Sequence, residues 1–359
     1  MDETAPTNST PRPLKRQRTH SSACTTRHAE FYVEGDGLCV IRVEATLFKV
    51  HRYLLVKATD VFSDLFKLPQ GATTEGTSDD NPIVLSDDSA ADFASLLKYL
   101  YSSGCDTNPQ DIPLSELQNV FAVAKLAHKY QMKGWQKWAA NVLHTLVRWN
   151  RARFSSVDFG RCYDLAYLLN DRSLQAGVIA AWGSRVIKGE LPAPPALDAA
   201  EAHAERFFLC DLYKFELSRI PTTFSTTLNY TGYKPIHIQR IFVGHWSLRA
   251  WWTHYAATPY KLVALPACAG SRHENCVREF ESRWRDAVVS AERKYPSIAL
   301  LRLRIDWMQK LVSALPNASR VPCQYTSSNA ANDPFTKTLA DLGVFESHFF
   351  AAESTPSAS

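Results

Sequence analysis

Between Asp36 and Phe66 the apolar positions change period. "DGLCVIRV" (Asp36–Val43) is apolar and β-branched and is entered through Asp-Gly, the pattern of a β-strand. Glu44–Ala45 leave room for a tight turn, and Leu47–Val50 supply the return strand with Phe48 and Val50 on one face. From Tyr53 the spacing becomes helical: Leu54, Leu55, Ala58, Phe62 and Leu65 recur every three or four positions, and Thr59 can cap a second helix. His51 and Arg52 sit where the period switches.

The alternation returns at Ile83–Leu85, a short buried strand. Ser86 is placed to cap the next helix, with Asp87 and Asp88 in its first turn, where the helix dipole favours negative charge. That helix carries Phe93, Leu96, Leu97, Leu100 and Tyr101 on one stripe. Ser115 and Gln118 have capping-box spacing and open a helix to about Gln131; a further one holds Trp135, Trp138, Val142, Leu143 and Leu146. The order is β-β-α-α-β-α-α-α.

Past Arg148 the helical period dominates. Phe159, Cys162, Ala166 and Leu169 share a face; Asn170 or Asp171 can cap a helix bearing Leu174, Val178 and Trp182; "LPAPP" (Leu191–Pro195) breaks the chain and opens another. Val277, Phe280, Trp284, Val288 and Ala291 form an amphipathic face, as do Leu301, Ile305, Met308, Leu311, Val312 and Leu315. Ser218–Tyr233 carries no helical stripe and reads as a loop or ribbon.

Composition adds limits. The 359 residues are 45% hydrophobic, enough for two domains, or one domain with a large extension. Residues 1–28 are rich in Thr, Ser and Pro, hold five basic side chains against two acidic ones, and are expected to be a disordered basic arm. That arm takes up most of the net charge of +4, so the folded part is near neutral and no direct nucleic-acid binding is expected. Lys15, Arg16 and Arg18 in "PRPLKRQR" resemble a nuclear-import signal, which implies a nuclear or nucleocytoplasmic protein. The eight cysteines are scattered, the N-terminus is polar and no apolar run is long enough to span a bilayer, so an intracellular chain with reduced thiols and no membrane partner is expected.

Several ordered blocks together resemble a BTB/POZ domain of the fungal type: "DGLCVIRVEATLFKVHRYLL" (Asp36–Leu55), "DVFSDLFKLP" (Asp60–Pro69), "EGTSDDNPIVLSDD" (Glu75–Asp88), "FASLLKYLY" (Phe93–Tyr101) and "AKLAHKY" (Ala124–Tyr130). Asp36, His51 and Phe62 fall on family landmarks. The expected fold is an α+β N-terminal BTB/POZ domain, a small sheet with helical hairpins, followed by a mainly α-helical C-terminal domain. The expected boundaries are 1–28 for the arm, 29–147 for the BTB/POZ domain, 148–350 for the helical region and 351–359 for a disordered tail. The resemblance implies dimerisation, with itself or another BTB protein, through Phe31, Tyr32, Val33, Leu54, Leu55 and Ala58. It implies a second role, substrate adaptation for a cullin-type ubiquitin ligase, although the place where cullin-binding members often carry hydrophobic-x-Glu reads Gln70–Ala72 here. A transcriptional regulator is the alternative that the basic arm suggests.

No chemistry competes strongly with that reading. His51 lacks a neighbouring nucleophile in sequence and is expected to satisfy backbone groups that the bend leaves free. Cys268, His273 and Cys276 lie close together, but their spacing departs from structural zinc sites, and buried unpaired cysteines are the expectation, without cofactor or metal. "HIQRIFVGHWSLRAWWTHY" (His237–Tyr255) interleaves aromatics with Arg240 and Arg249; its flanking apolar residues point to core or a partner groove rather than to base stacking. No P-loop, Rossmann glycine pattern, H-E-x-x-H or G-x-S-x-G appears, so the chain is expected not to be an enzyme.

Overall fold

A computed structural model describes residues 25–68, 75–102, 108–220, 229–262, 264, 268, 271–313, 335, 338 and 345–350. The chain divides into two compact units, residues 1–108 with 118–137, and residues 109–117 with 138–359. The import cluster Lys15, Arg16 and Arg18, the segment Gln70–Ala72 and the tail 351–359 lie outside the described residues.

The first unit is built on four strands, β1 (Thr26–Tyr32), β2 (Leu38–Val43), β3 (Thr46–His51) and β4 (Ile83–Leu85), in the order β1-β3-β2-β4. β2 and β3 form the expected hairpin, antiparallel with Leu38 opposite His51 and Val43 opposite Thr46, and Glu44 takes a φ of 52° in the turn. β1 runs parallel to β3, and β4 parallel to β2. β1 was not expected: its alternation is polar on most positions, and it begins at Thr26, inside the stretch 1–28 read as disordered. An edge strand with one buried residue, Phe31, leaves almost no hydrophobic signature.

Gly76 fixes the approach of the loop before β4. Its φ is +79°, its carbonyl accepts from Val40 N–H at 2.8 Å, and a Cβ there would meet Ile83 Cδ1 at 2.8 Å. Only glycine satisfies both conditions.

Helices α1 (Arg52–Ala58), α2 (Asp60–Lys67), α3 (Ala90–Tyr101), α4 (Leu117–Lys129) and the start of α5 (Lys133–Asn150) complete this unit. Thr59 caps α2 as expected, accepting from Val61 N–H, and its hydroxyl donates to the Tyr130 carbonyl at 2.7 Å. Two caps differ. Ser89, not Ser86, caps α3, because Asp87 adopts φ 64° and prolongs the turn. Asp88 is therefore buried rather than in a first helical turn, and it accepts from Lys129 Nζ at 2.7 Å and from the Tyr130 hydroxyl. Ser115 forms no capping box; Leu114–Glu116 is a 3-10 turn entered from Pro113 that leads into α4. The division between the two units falls within α5, after Lys137.

The second unit is helical: the rest of α5, then α6 (Ser156–Leu168), α7 (Arg172–Ile187), α8 (Pro194–Ala202), α9 (Arg206–Arg219), α10 (Pro235–Ala257), α11 (Ser271–Lys294), α12 (Leu301–Ser313) and α13 (Phe345–Phe350). α6 packs on α7 and α8, α9 on α7 and α8, α11 on α12, and α13 on α9 and α10. Asp171 caps α7, its carboxylate accepting from Leu174 N–H at 2.9 Å, while Asn170 supplies the left-handed residue before it at φ 52°. Ser155 and Asp158 cap α6 reciprocally. Most residues of the predicted apolar faces are buried, with Trp182 stacked on Phe159 at 5.7 Å and Trp284 donating to the Ala256 carbonyl at 2.8 Å; Leu169, Val277 and Val288 are half-buried, Leu311 is 39% exposed, and Leu315 lies outside the described residues. Residues 221–228 of the unassigned ribbon lie outside the described residues.

Candidate functional site

The junction of β3 and α1 resolves the role of His51. Its backbone N–H donates to the Tyr101 hydroxyl at 3.0 Å, and its Nδ1 lies 2.9 Å from the same oxygen. The phenol accepts from the backbone N–H, and the two side chains share the second bond. The imidazole caps nothing: it is the N-cap residue of α1 with no side-chain cap bond. The free backbone N–H is satisfied by Tyr101, which the imidazole orients, so the expected division of labour is reversed. Arg52 crosses to α2, donating from Nη2 to the Phe66 carbonyl at 3.1 Å with its guanidinium 4.3 Å from the Phe66 ring centre.

Among the described residues no activated nucleophile stands beside His51. Cys39 in the same hairpin donates to the Val50 carbonyl at 3.6 Å, and burial pushes its thiol up to about 11, so it stays protonated. Burial also raises the Tyr101 phenol.

The six residues expected at a dimer interface separate into two groups. Leu55 is fully covered by its own chain, and Phe31 is buried, stacked on His28 and tilted against Tyr101; both belong to the intrachain core. Tyr32, Val33, Leu54 and Ala58 remain half-buried. Tyr32 is tied to its own unit, its hydroxyl donating to Asp79 with the Arg27 guanidinium 4.6 Å from its ring centre. Those two partners hold the Asp79 carboxyl below the usual carboxylate range. The residue that pattern reading missed is Tyr53, 66% exposed on the first turn of α1. Its position just before the apolar stripe marks the turn of the helix but not the side that water reaches.

The aromatic helix α10 is two-sided. His237, Arg240, Ile241, Gly244, Leu248, Trp252 and Tyr255 are buried, while Trp246 is 77% exposed and Phe242 nearly half. The buried side carries a closed polar chain: Arg240 Nη1 donates to the Tyr213 hydroxyl at 3.3 Å, that hydroxyl meets His237 Nδ1 at 2.8 Å, and His237 Nε2 meets Asp198 at 3.1 Å. Arg240 also forks onto Glu201, and its guanidinium lies over Phe350 at 4.7 Å. This fork holds the Glu201 carboxyl below its usual range, and burial pulls the His237 imidazole down and pushes the Tyr213 hydroxyl up to about 12. A Tyr-His-Asp chain has catalytic components, but the His237 ring is wholly covered. It works as a satisfied internal network.

Cys268 and Cys276 are buried, with Sγ atoms 3.7 Å apart beside Leu262, and His273 is partly exposed. Among the described residues no three His, Cys, Asp or Glu side chains converge as metal ligands. Nor, among them, is any helix long and apolar enough to cross a membrane.

Residues 38–145 match the BTB/POZ domain family. No curated protein matches the chain.

Proposed function

We propose that the chain is a non-enzymatic interaction protein whose BTB/POZ domain, a protein–protein interaction module over residues 38–145, pairs with a second copy or with another BTB protein. The observation that carries this reading is Tyr53. A phenol ring two-thirds in water on α1, with Leu54, Ala58 and Val33 half-covered, is apolar surface that a partner would remove from solvent. The helical unit then displays the exposed side of α10, headed by Trp246, to a further protein.

Sedimentation equilibrium of the full chain at micromolar concentration tests the pairing. A dimer is expected, and a Tyr53→Asp/Leu54→Asp variant with an unchanged melting temperature should sediment as a monomer. A monomeric unmutated protein overturns dimerisation. Two narrower roles extend the same reading. BTB domains often bind cullins, so a pull-down with a cullin N-terminal domain tests substrate adaptation. Deleting residues 11–18 from a fluorescent fusion tests whether Lys15, Arg16 and Arg18 deliver a regulator to the nucleus.

A further inference from the structure

Within the helical unit a recess of about 280 Å³ lies between α10, the end of α11 and the turn into α12. Its wall includes His245, Arg249, Trp252, Glu292, Ser297 and Arg304. Arg304 is 6% exposed, yet no carboxylate lies within ion-pair distance of it among the described residues. Its Nε donates to the Tyr295 carbonyl at 2.7 Å and its Nη2 to the Pro296 carbonyl at 2.8 Å, which leaves Nη1 with no hydrogen bond among these residues. The guanidinium carbon stands 5.0 Å from the Trp252 ring centre.

A buried guanidinium without a counter-charge is costly, since carbonyl dipoles and a ring face replace only part of its lost hydration. The wall contains one candidate to offset it, Glu292, whose carboxylate already accepts from Trp252 Nε1 at 2.8 Å. The second cation, Arg249, is exposed and its side chain makes no ion pair among the described residues. Two guanidinia thus face one carboxylate. Burial lowers the Arg304 guanidinium from its ordinary value, Glu292 opposes that change and Arg249 adds to it. Burial likewise lowers the His245 imidazole, so it brings little further positive charge near neutral pH.

We propose that this recess binds the oxyanion group of a small ligand, a carboxylate or phosphate, between Arg249 and Arg304. Nη1 of Arg304 and the Arg249 guanidinium supply charge-assisted donors, and Trp252 supplies an aromatic wall. The volume falls just below the range of about 300–1,000 Å³ usual for ligand pockets, which suits a compact acid rather than a nucleotide. The proposal does not depend on whether the BTB/POZ domain dimerises.

Isothermal titration calorimetry on the full chain tests it, with inorganic phosphate and succinate in separate arms at fixed ionic strength so that general screening does not contribute. At least one anion is expected to bind saturably; phosphate alone identifies a phosphate ligand and succinate alone a carboxylate. Arg249→Gln, which touches no structural partner, should weaken binding by about tenfold, the loss of one charge-assisted hydrogen bond, with an unchanged melting temperature. Because Arg304→Gln removes two bonds that hold the turn, Arg304→Lys is the second variant, expected to fold and to bind more weakly than the unmutated chain. Absence of saturable binding in both arms, or binding by Arg249→Gln equal to that of the parent, overturns the proposal.

Discussion

The two units bury polar groups in different ways. In the BTB/POZ unit the buried polar residues serve backbone geometry: Thr59 both caps α2 and bonds the Tyr130 carbonyl, and Asp88 gathers Lys129 and the Tyr130 hydroxyl where α4 ends. In the helical unit the buried polar residues lie along helix faces, His237 and Arg240 on α10, Glu216 on α9 and Arg304 on α12. Helices satisfy their own backbones, so side chains on their faces are free to meet one another or a ligand. In the first unit Thr59 and Asp88 thus meet partners of their own unit, while in the second Arg304 has backbone carbonyls but no ion-pair partner among the described residues.

The largest effect should come from breaking a closed centre in the first unit. Asp88→Ala removes the acceptor of both Lys129 and the Tyr130 hydroxyl, whose ionisation burial already opposes strongly. Leaving the buried Tyr130 hydroxyl without its charged acceptor costs about 3 kcal/mol, while Lys129 is partly exposed and keeps the Ser86 carbonyl; a fall in denaturant midpoint with unchanged slope would measure it. A loss below about 1 kcal/mol would mean that water replaces Asp88 and that the centre is not closed.

A smaller effect is expected where the second unit depends on close packing. A Cβ on Gly244 would overlap the Phe349 ring, so Gly244→Ala must shift that ring or the helices that bring the pair together. Overpacking of this kind costs about 1–3 kcal/mol. Hydrogen exchange should show the change concentrated at Phe345–Phe350, and unchanged protection there would refute it.

What the sequence discloses follows the same division. The β2–β3 hairpin and the change to helical period at Tyr53 were legible because alternation and a three-to-four spacing are unambiguous when each element has one buried side. β1 was illegible because only Phe31 among its residues is buried. The α3 cap was misplaced because a left-handed Asp87 leaves no trace in residue type beyond its being an aspartate. α10 is apolar or aromatic around much of its circumference, so its pattern fits core and exposed face alike; only its packing in the fold separates Trp252 from Trp246. Arg304 resembles any helical arginine in sequence, and its burial emerges only once the Tyr295–Pro296 carbonyls are seen to hold it.

The smallest expected effect is an acid-limb comparison between the two units. Arg240 depresses the Glu201 carboxyl, and Tyr32 with Arg27 depresses that of Asp79. A carboxyl with a lowered folded-state pKa contributes stability that is complete above its ordinary value near 4.5 for Glu and 3.8 for Asp, and loses it as pH falls through the folded value. Both variants should therefore be less stable than the parent at neutral pH and converge with it in acid. The Glu201→Gln change should be the larger, because Arg240 is buried and forks onto both carboxylate oxygens, whereas Arg27 stands mostly in water, where ion pairs are worth little. Melting temperatures of Glu201→Gln and Asp79→Asn from pH 7 down to pH 3 would measure the two slopes. An Asp79 effect equal to or greater than that of Glu201 would contradict the contrast, since it would place as much compensated charge in the sheet unit as in the helical one.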